Sequence, residues 1–505
     1  MPPYWLLGTG LVPFGLVLLP IGYILIRTVQ AGVSGVAQDL LRPYTLNLLF
    51  NTVILAGSVT LLASTIALAA AWCTERCDLP GRRWWRLITA LPLAMPAYVS
   101  SFAWSSFGAW FQEMQGAILI LTFYAVPLVY LPVVAALRSL DPNVEDVARS
   151  LGNGRWRSFF RAVLPQISPA LTGGALLVSA HMLAEFGALS FLRVETFTTA
   201  IFDQYTAEFN NQGAALLSGV LMLLCFPVVY GEARLRRGRR FARISRGSAR
   251  PAPPIPLGRL MIPALLAFTA LAVFGFGVPL AALGFWMWDG TSTGHGILSV
   301  GPALLASLGY ALPGAALTTL LAIPLVVAAA HFSGRFSNLA DRLPYIVYGV
   351  PGIVVALTAV SVSIRYAPAI YQSVPLVMLV YAVLSLPLAQ AAIRASAELV
   401  PGELTNVARS LGKAPFKAFL LAILPNLMPG LGAALALSTL QLMRELTATL
   451  LLAPPGIVTL STEFWNYTSD RQYGAAAPFA AVLVIVSGLP VYIFTMRTLK
   501  LSDMP

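Results

Sequence analysis

The sequence predicts an all-α polytopic membrane protein with twelve transmembrane helices arranged as two parallel six-helix repeats. Three observations carry this. Of 505 residues, 58% are hydrophobic and 10% charged, against about 25% charged in a soluble domain. Apolar segments of bilayer-spanning length recur along the chain, where a barrel would show short alternating segments. Finally, the stretch Val144 to Pro165 returns 260 positions later as Leu404 to Pro425. The first repeat is expected over residues 1–233, a basic Pro/Arg-rich cytoplasmic linker over 234–259, and the second repeat over 260–505.

In chain order the spans fall near 5–26, 49–72, 87–106, 117–137, 168–190 and 214–230, then 260–285, 303–330, 344–364, 375–393, 428–450 and 476–495. No basic n-region or small-residue cleavage site precedes the first, so it is expected to remain as a helix. Pro92, Pro96, Pro127, Pro132, Pro351 and Pro387 fall inside these spans. A helix-interior proline costs about 3 kcal/mol in water, but neighbouring helices can satisfy the freed carbonyls, and each is read as an ordinary kink. Cys73, Cys77 and Cys225 are too few for a disulfide scaffold and read as free thiols. The linker carries nine arginines and no apolar period, and lets both halves keep one orientation. The segments after the fifth span of each half, Arg193 to Gly213 and Ala453 to Gly474, are polar and aromatic. They either dock an external partner or cap the bundle.

The net charge of +12 is not a nucleic-acid signal, because its placement follows the membrane. With the N-terminus inside, 26 of the 32 Lys and Arg lie in cytoplasmic segments. Arg27, Arg42, Arg193, Arg365 and Arg471 lie outside, and Arg444 lies in a span. This is the positive-inside bias. It puts both termini and both copies of the repeated stretch in the cytoplasm.

The repeated stretch reads as two short helices. Val144, Val147, Ala148 and Leu151 share one side of the first; Trp156, Phe159, Phe160, Val163 and Leu164 form an apolar face on the second. The later copy repeats this with Leu404, Val407, Ala408 and Leu411, then Phe416, Phe419, Leu420, Ile423 and Leu424. Gly152 and Gly412 permit a left-handed turn between the helices, and Pro165 and Pro425 mark the join to the next span. A short, apolar helix–turn–helix on the cytoplasmic side fits a groove on a partner; the alternative is a helix lying on the membrane surface. Two copies imply two partner sites. No G-x-x-x-x-G-K-[ST] phosphate loop occurs, and Gly412-Lys413 is followed by Ala414. H-E-x-x-H and G-x-S-x-G motifs and cysteine–histidine metal clusters are absent too. The chain is therefore read as a transport part with no catalytic residues, whose energy comes from another chain.

These residues resemble the signature of permease subunits of binding-protein-dependent ATP-binding-cassette importers: Glu-Ala-Ala, three residues, Gly, then nine residues to an apolar position and Leu-Pro. The resemblance covers both six-helix halves and implies the type I importer permease fold in a bacterial inner membrane. The loop residues that it marks for coupling are Asp146, Val147, Ala148, Arg149, Ser150, Leu151, Gly152, Leu164 and Pro165, and Asn406, Val407, Ala408, Arg409, Ser410, Leu411, Gly412, Leu424 and Pro425. The signature glutamate is Asp146 in one half and Asn406 in the other, so the two loops are unequal. The resemblance implies a homodimeric ATPase holding ATP and Mg at the cytoplasmic face, and a solute-binding protein outside.

Charges inside spans are costly and mark pathways. Three fall deep in the expected spans: Glu185, Arg444 and Glu445. Glu185 and Glu445 are twins 260 apart, and His181 and Gln441 sit one turn before them. His181, Glu185, Gln441 and Glu445 are read as a polar ring on the translocation path; the bland reading makes the glutamates structural, with Arg444 as a partner. Ala184 to Phe191, Arg444 to Leu451 and Phe197 to Tyr205 resemble segments of the ferric-iron importer branch. A hard ferric ion prefers carboxylate and phenolate oxygen, which makes Glu185 and Glu445 transient ligand candidates. Thiamine importers share the fused layout. Polyamine, sulfate and phosphonate importers are more distant, and Arg444 would favour an anion. The rival class is a proton- or sodium-coupled secondary transporter, with the two glutamates as its ion sites.

Overall fold

The computed structural model describes residues 3–140, 150, 154–237, 254–292, 300–332, 334–400 and 403–502. Twenty helices of five or more residues in α geometry organise these residues: α1 (Tyr4–Leu40), α2 (Pro43–Arg76), α3 (Arg82–Ala90), α4 (Ala97–Ser105), α5 (Met114–Ser139), α6 (Leu164–Ala184), α7 (Gly187–Phe191), α8 (Phe197–Thr206), α9 (Asn211–Arg237) and α10 (Met261–Ala272) in the first part of the chain. There follow α11 (Val278–Ser292), α12 (Val300–His331), α13 (Arg335–Tyr348), α14 (Gly352–Tyr366), α15 (Val374–Ala397), α16 (Glu403–Ser410), α17 (Leu424–Met443), α18 (Thr447–Leu452), α19 (Leu460–Ser469) and α20 (Tyr473–Ser502). The protein is an all-α, multi-pass membrane protein. Among the described residues nine helices are long and apolar enough to cross a bilayer, or ten if the bent pair Arg82–Ala94 and Ala97–Ser105 is one span. Gly352–Tyr366 and Tyr473–Gly488 are shorter apolar helices at two further expected positions.

The chain folds as two compact units. One comprises Met1–Thr45, Ala200–Val229 and Gly290–Phe479. In it α12, α15 and α17 pack mutually, and α1 packs along α12, α13 and α14. Small residues allow close approach of apolar helices in a membrane: a Cβ on Gly314 would stand 3.1 Å from the ring of the fully buried Tyr381. The other unit comprises Leu46–Thr199, Tyr230–Asp289 and Ala480–Pro505. There α5 packs on α6, α4 on α7, and α10 on α3. The rings of Trp85 and Phe268 of α10 meet with their centroids 5.4 Å apart. The first unit thus takes its first long helix, α1, from the opposite end of the chain to most of its others, and the second unit takes α10 from beyond the linker.

The prolines do not act alike. Pro127, Pro132 and Pro387 lie within continuous helices, as expected of kinks. Pro96 and Pro351 instead sit at helix breaks, the first bent by 89°. Both are extended, with φ/ψ of −57/141 and −55/146. Met95 before Pro96 is extended as well, because the proline ring clashes with a helical residue ahead of it.

The linker was expected to be a plain tether. Residues 238–253 lie outside the described residues, but its last stretch is pinned. Ile255 N–H donates to the Arg76 carbonyl at 2.8 Å, Asp78 N–H to the Ile255 carbonyl at 3.1 Å, and Leu257 N–H to Asp78 Oδ1 at 2.8 Å. Cys73, Cys77 and Cys225 are free thiols.

Candidate functional site

The second repeated loop is described nearly throughout. Asn406, Val407, Ala408, Arg409 and Ser410 lie on α16. The helix ends as the glycine predicts. Gly412 has φ 76, and Lys413 N–H reaches back to the Ala408 carbonyl at 3.2 Å. That bond closes a left-handed helix stop, satisfying a carbonyl the helix leaves free. Val407, Leu411 and Phe416 are exposed, while Phe419 and Ile423 are buried. Of the first loop, Asp146, Val147, Ala148, Arg149, Leu151 and Gly152 lie outside the described residues; Ser150 is helical and exposed.

Downstream the two copies converge. Arg155–Ser158 and Pro415–Ala418 are short helices that run through π turns, Phe159–Val163 and Phe419–Ile423, into α6 and α17. Leu164 N–H bonds to the Phe159 carbonyl and Leu424 N–H to that of Phe419. The cause is the following proline. Pro165 and Pro425 have no N–H, and their rings clash with the carbonyl four residues back; widening the preceding turn relieves the clash. The third described π turn, Val273–Gly277, likewise precedes a residue and then a proline, Val278-Pro279. Aromatic contacts hold both turns to the body. Phe159 meets Trp72 of α2 at 4.8 Å, and Phe419 and Phe416 each meet Trp5 of α1 at 5.3 Å. The Leu-Pro pairs were legible as joins; the π turns were not foreseen, although bulky-residue-then-proline was their signal.

Glu185, Arg444 and Glu445 are not helix-interior, as the expected spans 168–190 and 428–450 had them. α6 stops at Ala184 and α17 at Met443, and new short helices, α7 and α18, begin three and four residues on. Glu185 Oε1 accepts the Ala188 N–H at 2.9 Å, and Glu445 Oε1 accepts the Ala448 N–H at 3.2 Å. Each carboxylate caps the next helix, satisfying a donor that a helix start leaves open and facing the positive end of its dipole. The freed carbonyls are satisfied from the side: Thr198 Oγ1 donates to Glu185 O at 2.6 Å, Thr449 Oγ1 to Glu445 O at 2.7 Å, and Ser461 Oγ to Met443 O at 3.3 Å. Non-helical backbone survives at membrane depth only when so supported or when it lines a cavity. Glu185, Gln441, Arg444 and Glu445 are half-buried and His181 is exposed. The His181 ring lies 6.3 Å from that of Tyr124.

Behind each break stands a threonine pair that sequence reading missed. Thr196 N–H donates to Thr199 Oγ1 at 2.9 Å and Thr459 N–H to Thr462 Oγ1 at 2.8 Å. The next residues are anchored on long helices: Phe197 N–H on Thr52 Oγ1 of α2 at 3.2 Å, and Leu460 N–H on Ser307 Oγ of α12 at 2.8 Å. The signal was T-x-x-T at an offset of 263, hidden by the 260 offset of the loops.

The family of binding-protein-dependent transport system inner membrane components matches residues 63–239 and again 321–501. The chain belongs to that family. One match falls in each repeat, and the two include both loops and both breaks. This permease is a transport subunit of the inner membrane, not an enzyme. It is 39% identical over 99% of both chains to the Fe(3+)-transport system permease protein FbpB 2 of Haemophilus influenzae. A ferric transport system permease protein FbpB of Actinobacillus pleuropneumoniae is 23% identical over 89% of this chain and 71% of its own. The sulfate transport system permease protein CysT of Escherichia coli is 27% identical over 46% of this chain and 92% of its own. Among the described residues no group of three or more His, Cys, Asp or Glu side chains is placed to hold a metal ion.

Proposed function

We propose that this permease serves a ferric-iron importer, with twelve spans in two parallel six-helix halves. The reading is carried by the likeness to the Fe(3+)-transport relative along nearly the whole of both chains. A homodimeric ATPase, holding ATP and Mg, sits on the two cytoplasmic loops, and an external binding protein delivers the solute. Closure of the ATPase dimer pushes both loops. Because Arg155–Ser158 and Pro415–Ala418 run without interruption through their π turns into α6 and α17, a push on these segments reaches the helices that end beside Glu185 and Arg444. The carboxylates of Glu185 and Glu445, with His181 and Gln441 one turn before, contribute hard oxygen and polar groups to the cation's path. Arg444 beside Glu445 keeps the local charge low between passages.

The test is uptake into proteoliposomes containing the permease, its ATPase and its binding protein, with ferric iron, thiamine and sulfate compared. ATP-dependent uptake of ferric iron alone is expected. Uptake of thiamine or sulfate instead would replace the substrate, and uptake by the permease alone under a proton gradient would replace the class.

A further inference from the structure

The two repeated loops are seated on different helices. Phe159 and Phe419 are equivalent residues at the offset of 260, and each is the first residue of its π turn. Phe159 rests on Trp72 of α2, with ring centroids 4.8 Å apart and planes at 78°. In the second repeat the counterpart of α2 is α12, and the place of Trp72, at the offset of 255, is taken by the buried Val327. Valine offers no ring, and Phe419 meets Trp5 of α1 instead, with centroids 5.3 Å apart. Phe416 closes edge-on upon the same indole, at 5.3 Å and 76°. Its equivalent in the first loop, Trp156, is 75% exposed and stacks on Phe160 of its own turn at 6.5 Å. Trp5, Phe416 and Phe419 all belong to one unit.

α1 is built to carry this contact. Its first turn is closed by the Leu6 and Leu7 N–H groups on the Pro3 carbonyl, at 3.0 and 3.2 Å, so Trp5 stands on ordered helix. Trp5 Nε1 is enclosed and has no hydrogen-bond partner among the described residues; ring packing alone holds the seat. Two turns further along, Phe336 of α13 lies against α1. Its ring centroid is 5.7 Å from that of Phe14, and a Cβ on Gly10 would stand 2.5 Å from the same ring. The glycine lets α1 and α13 close up. α1 also packs along α12 and α14. An indole locked between two rings does not slide past them, because close-packed contacts move as blocks and do not deform continuously.

We propose that Trp5 is a positioning residue for energy coupling: the second loop hands its motion to α1 through Trp5, whereas the first hands its motion to α2 through Trp72. This rests on the reading above in which an ATPase pushes both loops. A push on Pro415–Ala418 then has two outlets. One is the continuous path through the π turn into α17. The other is the indole, which carries α1 and, through Phe336, α13 along. The first loop has its lateral outlet on α2, beside the buried Glu75 clamp, with the Arg76 guanidinium 5.8 Å from the Trp72 ring centroid. Aromatic edge-to-face pairs suit such a joint, because they prefer a defined geometry and add to the apolar area buried. The two loops therefore drive different helices although they are copies of one unit.

The experiment uses the complete transporter, permease with its ATPase and binding protein, in proteoliposomes. It reads stimulation of the ATPase by the binding protein and ferric iron imported per ATP hydrolysed. Trp5→Ala is expected to keep the ATPase bound while both readings fall about tenfold, the effect of losing two ring contacts from a driven step. Trp5→Phe should restore both to within about twofold of wild type, because the seat uses the ring and not the N–H. Trp5→Leu, which keeps apolar bulk without ring edges, should fall between the two. Trp72→Ala should lower the same readings through the first loop, and the double variant should lower them by the product of the two losses, since the outlets are separate. Wild-type readings in Trp5→Ala, or a Trp5→Phe as impaired as Trp5→Ala, overturn the role. Loss of the bound ATPase in Trp5→Ala together with normal coupling in Trp5→Leu makes the residue a structural seat only and overturns it too. A wild-type permease that holds no ATPase fails the underlying reading instead, and one that imports a different solute leaves ATPase stimulation as the readout.

Discussion

The cytoplasmic ends of the two units are tied by mirror-image charge clamps. In one, Glu75 of α2 lies between Arg86 of α3, at 2.7 Å, and Arg138 of α5, at 2.9 Å. In the other, Arg394 of α15 lies between Asp341 of α13 and Glu398, the latter at 2.8 Å. Arg86 and Asp341 occupy equivalent places in their repeats at an offset of 255, the offset that also relates Pro96 to Pro351 and Thr52 to Ser307. Arg138 and Glu398 correspond at an offset of 260. An acid between two bases has thus become a base between two acids. Burial differs as much as sign. The Glu75 side chain is 6% exposed and the Arg394 side chain 48%. Glu75 also ties three helices, and Thr74 beside it shares a hydrogen bond with the buried Tyr130 at 3.0 Å. The repeats share geometry but not energetics. The clamp that stands on α2, whose Trp72 also receives Phe159, is rigid, and the other is screened by water.

Four experiments test this comparison, from the largest expected effect to the smallest. Glu75→Gln leaves two arginines facing each other in a buried place and should destabilise by about 3–5 kcal/mol. Thermal unfolding in detergent checks it; an unchanged midpoint would erase the difference between the units. Gly412→Val puts a branched residue at φ 76 and should cost about 1–2 kcal/mol. The protein should still insert, with binding-protein-stimulated ATPase activity lost, and retained stimulation would count against the loop's coupling role. Glu185→Gln with Glu445→Gln should lower uptake by about tenfold, or ~1.4 kcal/mol at the barrier, without releasing the ATPase. The single variants then say whether the two breaks weigh equally. Arg394→Gln should change stability by about 0–1 kcal/mol, as exposed pairs do. A Tm loss matching that of Glu75→Gln would break the contrast.

Much of the fold was legible because bilayer physics is written along the chain. Segments of apolar residues, arginines on one side and a repeated loop are local or periodic signals, and they yielded the long helices, the duplication and the Gly412 turn. The sites were legible in position but not in form. Glu185 and Glu445 looked like charges inside helices, because nothing near Glu445 carries a breaking proline or glycine. The break depends on what reaches it from elsewhere: hydroxyls of Thr198 and Ser461, many residues away. Pro96 and Pro127 looked alike in sequence, yet one ends a helix and the other does not. Neighbours decide which carbonyls can be left free.

By itself, then, the sequence pointed to the class of molecule, an orientation in the membrane, its duplication and two candidate coupling loops. Those properties follow from hydropathy, charge placement and internal repetition, none of which needs contact between distant residues. Only the tertiary structure decided that α1 joins the unit built mostly from the second repeat, that the two clamps differ in burial, and that helix breaks stand at Glu185 and Glu445. The reason is physical. Burial and cross-chain hydrogen bonds depend on which helices pack together, and lipid-facing apolar surfaces leave that choice to side-chain fit and not to hydropathy.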